Sequence, residues 1–245
     1  QSMLIDADKV FASLLTLCQN KTVRKLTLCQ KKKEGQTMSR SSEELAHARR
    51  EEIINACARL YEKKSFKEIT LKEIGEATSF TRTSIYNYFQ TKEEIFLALL
   101  QREYRLWDDR LRQIRSTRSS MTRTEFADTI AHSLEERKNL LKLLSMNHYD
   151  LEENSRTERL VEFKLTYKET LEEIRNCLEQ YFPDMTEAAI QEFIFSFFPF
   201  MFGIYPYTFV TEKQRTAMEA AEVDYVYLTV YDITFAHVKK LLGVF

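Results

Sequence analysis

The sequence predicts an all-α protein, with a cluster of three short helices toward the amino end and a larger helical region after it. Three observations carry this. Four glycines and three prolines in 245 residues supply few of the residues that turns in a β-rich chain require. Apolar residues recur at three- and four-residue spacing through most of the chain, the period of an amphipathic helix. Ser41, Thr70 and Thr91 each stand ahead of such a run with Glu three residues later, a pairing that satisfies free backbone donors at a helix start. The length allows one large or two modest domains, and 44% hydrophobic content is ample for a core.

Taken in order, residues 1–37 stand apart. Gln1 and Ser2 ahead of Met3 read as the scar of a cleaved tag. Val10 to Leu28 has amphipathic spacing and is followed by Lys31, Lys32 and Lys33. That run suits either a basic arm along a nucleic-acid backbone or an extension without a role. The first of the three helices is expected to open near Met38, at the Ser41 and Glu44 cap.

Residues 70–96, TLKEIGEATSFTRTSIYNYFQTKEEIF, are the densest in information. Thr70 and Glu73 form a capping box, and Leu71, Ile74 and Ala77 then share a face. After a break at Thr78, Ser79 and Phe80, Thr81 is placed to cap a second helix. That helix hides Ile85 and Phe89 and shows Arg82, Thr83, Tyr86 and Asn87. Thr91 and Glu94 open a third. Two short helices joined by a tight turn are the geometry of a helix-turn-helix, whose second helix enters the DNA major groove. Small hydroxyls at its start permit close approach to phosphate, and Arg82 offers the paired donors that suit guanine.

Residues 53–96 resemble the DNA-binding domain of the tetracycline-repressor (TetR) family. The likeness rests on an amphipathic first helix, a T-x-x-x-I second helix, and Ile85, Tyr86, Tyr88, Phe89, Thr91, Lys92, Glu93 and Glu94 in the order that the family's pattern prescribes. It implies phosphate contacts from Thr81, Tyr86 and Lys92, and base-edge contacts from Arg82 and Thr83. It places Tyr88 at the groove margin, and Lys72 on the preceding helix within reach of the backbone. The chain departs from the pattern twice. Ser79 stands where the family has Gly in the turn, and Lys63, Lys64 and Ser65 follow the first helix where Gly is usual. A left-handed residue other than Gly would cost roughly 1 kcal/mol at either place.

Charge and composition agree. Residues 1–118 carry 23 Lys and Arg against 16 Asp and Glu, and residues 119–245 carry 13 against 21. A basic half beside an acidic half fits one module on a polyanion and another away from it. Cys18, Cys29, Cys57 and Cys177 form no CxxC pair and have no histidine at metal-ligand spacing. His47, His132, His148 and His237 are scattered. No metal and no cofactor is expected. Paired carboxylates, a nucleophile with its base and a glycine-rich phosphate loop are all missing, so an enzyme is not expected. No secretory signal is visible, which points to the cytoplasm.

Beyond the third helix, Phe96, Leu99, Tyr104, Trp107, Leu111 and Ile114 mark a long connecting helix, with a polar break over residues 115–124. Residues 126–146 supply one or two helices. A stripe from Leu160 through Phe163, Tyr167, Leu171, Ile174 and Leu178 ends before Pro183. Thr186 restarts a helix that runs into residues 193–210, FIFSFFPFMFGIYPYTFV. These 18 uncharged residues touch the length of a membrane span. Pro199, Pro206, Gly203 and the acidic flank at Glu192 favour instead a buried helix covering aromatic surface on more than one side. Residues 227–242 close the chain.

Within the resemblance, helices in this part of the chain form a dimer interface and line a ligand cavity. Residues 193–210 and 227–242 are the candidates for a four-helix interface across a two-fold axis. Trp107, Phe163, Tyr167, Phe198, Met201, Phe202 and Tyr205 supply the aromatic and soft side chains of an apolar pocket. The expected organisation is an extension over residues 1–37, a helix-turn-helix domain over 38–95, and a ligand-binding and dimerisation domain over 96–245. The expected function is a sequence-specific transcriptional regulator, a repressor, homodimeric on a pseudo-palindromic double-stranded operator and released by a small-molecule effector. The alternative is a helical ligand-binding or scaffolding dimer whose helix-turn-helix has degenerated.

Overall fold

A computed structural model describes residues 40–146 and 148–244, except the side chains of Arg40, Ser41, Ser42, Arg82, His148 and Tyr149. The basic arm expected around Lys31 to Lys33, with Cys18 and Cys29, lies outside the described residues. Two compact units divide the chain, residues 1–49 and 50–245. The described part of the first is the opening of α1, Arg40–Lys63. The second holds the rest of α1 and α2 Leu71–Glu76, α3 Arg82–Ile85, α4 Lys92–Thr117, α5 Arg123–Glu135, α6 Lys138–Leu144, α7 His148–Glu153, α8 Thr157–Tyr181, α9 Glu187–Thr208, α10 Glu212–Ala220 and α11 Val230–Leu241.

Threonine sets most of these starts. The side chains of Thr70, Thr91, Thr122, Thr186, Thr211 and Thr229 each accept the backbone N–H three residues on. Thr70 with Glu73, Thr122 with Glu125, Thr211 with Gln214 and Thr229 with Asp232 complete the reciprocal box. The last of these fixes where α11 begins. Residues 223–229 ahead of it are non-helical, so the closing helix is shorter than the apolar pattern from Tyr227 suggests. The expected box at Thr91 is only half made. Glu94 N–H reaches Thr91, but the Glu94 carboxylate accepts from Gln90 N–H at 2.8 Å instead.

In the second unit α4 lies along α8 and α5 along α11, while α9 packs on α6, α8 and α11. One buried apolar cluster runs from Ile53, Ile74, Ile85 and Phe89 through α4 to Phe197, Met201 and Val238. Helix α9 is long and apolar enough to cross a membrane by length and composition. Its Ile190, Phe193, Ile194, Phe197, Phe198, Met201 and Ile204 are buried, while Phe195 and Tyr207 are exposed. The buried set repeats at three and four residues, and half-buried Phe200 and Phe202 on its two flanks also pack against the core, so the helix covers aromatic surface on more than one side.

Glu94 is buried and gathers four donors. Besides Gln90 N–H, it accepts Arg156 N–H at 3.1 Å and the Arg156 guanidinium at 2.6 and 2.8 Å. Burial pushes this carboxyl up, but the Arg156 and backbone hydrogen bonds outweigh it and hold Glu94 below its ordinary value. Its contribution is therefore complete above the usual carboxylate range and is lost as pH falls through the lowered value. Glu94→Gln is expected to destabilise the fold by about 3 kcal/mol, because it leaves Arg156 without its counter-charge. Chemical denaturation at pH 7 measures this, and a loss under about 1 kcal/mol would show the pair to be no more than a surface ion pair.

Candidate nucleic-acid interface and effector region

Helices α2 and α3 are joined by a turn that needs no glycine. The α2 C-cap, Ala77, has φ −94°, and Glu222 is the described non-glycine residue with positive φ. Ser79, standing where the family has Gly, is held from outside the turn. Its N–H and hydroxyl both donate to the Glu52 carboxylate of α1, the hydroxyl at 3.0 Å. Thr78 Oγ1 donates to the Gly75 and Phe80 carbonyls at 2.8 and 3.1 Å. Ala77, expected on the buried face, is exposed, and its carbonyl accepts from Arg59. After α1, Ser65 is fixed by the Glu68 carboxylate, again without a left-handed residue.

The helix carrying the predicted contacts is short. Only Arg82–Ile85 is regular α-helix, and Tyr86, Asn87 and Tyr88 continue it as turns. Ile85 and Phe89 are fully buried beneath it. Thr81, Thr83, Tyr86 and Asn87 are exposed on its other side. Thr81 makes no side-chain cap bond, and its hydroxyl meets Ser84 Oγ at 3.2 Å. Tyr88 is half-buried with its ring 6.4 Å from that of Phe80. Lys72 is exposed on α2, within 3.8 Å of Glu76. The Arg82 side chain lies outside the described residues. Lys92 has an occupation that the sequence did not suggest. Its Nζ donates to the Phe66 and Ile69 carbonyls at 2.8 and 3.1 Å and lies 4.1 Å from the Phe66 ring centroid. An ammonium has three donors, so one remains for an outside acceptor.

Beyond the single bonds of Arg50 to Glu162 at 3.1 Å and of Thr91 to Asn154 at 3.0 Å, two multidentate joints tie this region to the later helices. At one, Glu94 holds Arg156. At the other, Tyr61 hydroxyl donates to the Lys142 carbonyl at 3.2 Å, and Lys142 Nζ donates to the Tyr61 and Lys64 carbonyls at the end of α1. That ammonium also sits 4.0 Å from the Tyr61 ring centroid. A cation at a helix carboxyl end meets the negative pole of the backbone dipoles. Neither joint was legible from spacing, since their partners stand 62 and 81 residues apart.

Of the seven residues expected to line a pocket, Trp107 stands on α4, Phe163 and Tyr167 on α8, and Phe198, Met201, Phe202 and Tyr205 on α9. Trp107, Phe163, Phe198 and Met201 are buried, and Tyr167, Phe202 and Tyr205 are half-buried. The Trp107 and Tyr167 rings flank Phe198 at 6.4 and 5.6 Å, and Trp107 Nε1 donates to Ser133 at 3.0 Å. The sequence reading overlooked a polar seam beside them. Gln101 donates to Thr166 at 3.0 Å, and Thr170 donates to the buried Asp108 carboxylate at 3.0 Å. The available signal was an aspartate one turn after Tyr104 on the apolar stripe of α4. Cys57 and Cys177 are buried, and burial raises both thiols to about 12, which leaves neither as a reactive thiolate.

Comparison with known families matches residues 53–99 to "Bacterial regulatory proteins, tetR family" and residues 101–232 to "Tetracyclin repressor-like, C-terminal domain". Among solved structures, a TetR-family transcriptional regulator from Mesorhizobium loti MAFF303099 is 13% identical. Its TM-score is 0.56, over 84% of this chain and 98% of that one. Thermus thermophilus FadR, a TetR-family repressor solved with lauroyl-CoA, is 18% identical with a TM-score of 0.51, over 79% and 93%. Both likenesses are of fold. Comparison with curated proteins finds no match.

Burial raises Asp108 to about 7, against the Thr170 hydrogen bond and Arg112, which lower it, and with Glu173 and Glu169, which raise it further. The folded state thus keeps a proton that the unfolded chain has released. The associated stability is complete below the ordinary aspartate value and is lost as pH rises through 7. Between pH 5 and pH 8 the protein is expected to lose about 2–3 kcal/mol that Asp108→Asn does not lose. Denaturant melts of both proteins at the two pH values test this, and parallel losses would refute it.

Proposed function

Because the chain belongs to the tetracycline-repressor family of bacterial regulators, we propose that it is a homodimeric repressor whose sequence-specific hold on DNA is released by a small-molecule effector. The observation that carries this is the outward face of α3. Thr83, Tyr86 and Asn87 stand exposed on a helix clamped from beneath by Ile85 and Phe89. A dimer sets two such faces into successive major grooves about 34 Å apart on a pseudo-palindromic site. In this reading Arg82 and Thr83 meet base edges. Thr81, Tyr86 and Lys72 meet phosphates, Lys92 adds its remaining donor, and Tyr88 borders the groove. Residues 38–95 form the DNA-binding domain and residues 96–245 the effector and dimerisation domain. Phe195 and Tyr207, exposed on α9, support a second copy packing there.

The effector occupies the aromatic region of Trp107, Phe163, Tyr167, Phe198, Met201, Phe202 and Tyr205. The lauroyl-CoA held by the Thermus thermophilus relative supports a ligand with an apolar body. Its output travels through α6 and α8, whose Lys142 and Arg156 grip the end of α1 and the start of α4. The effector releases DNA only to the extent that it binds the released arrangement more tightly than the bound one. The protein acts in the cytoplasm, on DNA, without catalysing a reaction.

Fluorescence anisotropy on DNA from upstream of the protein's own gene, against random DNA at low and physiological salt, tests the reading. Preference for the upstream fragment at physiological salt is expected, and absent binding at both salts would overturn it. Arg82→Ala is expected to relax preference at one position per half-site. Lys92→Ala is expected to weaken binding to every sequence and flatten the salt slope by about 1. It should also lower the melting temperature, because the Phe66 and Ile69 carbonyls lose their donor. Equal effects of the two substitutions on sequence preference would sink this division of labour.

A further inference from the structure

The polar groups at the centre of the larger helical region are not all matched. Tyr104 and Asp108, one turn apart on α4, are both fully buried. Thr170 on α8 satisfies Asp108 Oδ2, but Asp108 Oδ1 and the Tyr104 hydroxyl have no hydrogen-bond partner among the described residues. The nearby cations are engaged elsewhere, since Arg112 and Arg115 pair with Glu173 at 3.7 and 2.7 Å. A buried donor or acceptor left unmatched is costly, and a charged one more so. Two such atoms on one face of one helix are a feature that packing alone does not explain. Their surroundings are aromatic. The Phe163 and Tyr167 rings lie 6.1 and 5.8 Å from that of Tyr104, and half-buried Tyr167 brings the cluster toward solvent.

We propose that the Tyr104 hydroxyl and the Asp108 carboxylate form the polar end of the effector site, and that the effector is an apolar molecule terminating in an amine. The inference rests on the reading that this region binds an effector, and it names that effector's chemistry. An ammonium donates to Asp108 Oδ1 and to the Tyr104 oxygen together, supplying both missing partners with charge-assisted bonds. The faces of Tyr104, Tyr167 and Phe163 favour a cation further. Above pH 7, where Asp108 is ionised, a carboxylate head would instead meet it, with buried Glu173 nearby, as like charges.

Trp107 is the single tryptophan of the chain, adjacent in sequence to Asp108 and 6.4 Å from Phe198, so its emission reports on this site. At pH 8, where Asp108 is ionised, the full-length protein is titrated with decylamine, decanol and decanoate, each below its micelle concentration, and DNA release is followed in parallel. Decylamine is expected to shift Trp107 emission saturably and release DNA, while decanoate does neither. Asp108→Asn is expected to weaken decylamine roughly tenfold or more, and Tyr104→Phe by a smaller factor. Circular dichroism checks that both variants are folded, and either one suffices if the other is not. An absent decylamine response, or unchanged affinity in a folded variant, overturns the inference. Binding of decanoate or decanol in place of the amine also overturns it, while leaving the effector reading standing.

Discussion

Glu94 stands at the position where a carboxylate usually finishes the first turn of its own helix. Here it turns away from that cap and binds two segments at once: Gln90 just past α3, and Arg156 ahead of α8 through both its backbone N–H and its guanidinium. A buried carboxylate stays ionised at low cost only when its oxygens are filled with donors, and those of Glu94 are. The helix-turn-helix therefore does not hang from the rest of unit two by a linker. It is fastened at the start of α4 by one ion pair and at the end of α1 by Lys142. The same apolar cluster continues beneath both fastenings.

Among the buried carboxylates of helix α4, Glu94 and Asp108 have opposite tendencies. Glu94 is held ionised by Arg156 and by backbone donors, whereas Asp108 has one hydroxyl and no cation, and its carboxyl rises. The difference is one of donor count rather than depth, since both residues are hidden from solvent. One serves cohesion between helices. The other leaves an acceptor open in the middle of an aromatic cluster.

The local grammar of the fold was open to inspection in the sequence. Threonine caps at 70, 91 and 186, the stripe on α8 and the burial of Ile85 and Phe89 depend on neighbours within a turn or two. What could not be read depends on residues far apart. Ser79 looked like a costly replacement for Gly until Glu52 supplied both of its acceptors. Lys92 looked like a free phosphate ligand until the Phe66 and Ile69 carbonyls came to meet it. The half-made box at Thr91 depends on Arg156, and the aromatic residues around Trp107 gave no hint that Tyr104 and Asp108 beside them would each keep an oxygen unmatched among the described residues. Periodicity reports which face of a helix is inward, and not which long-range polar partner arrives there.

The unbroken course of α4 has a mechanical consequence. At about 1.5 Å per residue its 26 residues span about 39 Å, from the edge of the helix-turn-helix past the aromatic cluster. Pivoted at its far end, a helix of that length turns a tilt of only about 5° into a displacement of about 3 Å at Thr91, close to the spacing of successive bases along one DNA strand. Under the function proposed above, a rearrangement around Asp108 too small to disturb the core would reach the DNA as a change of register.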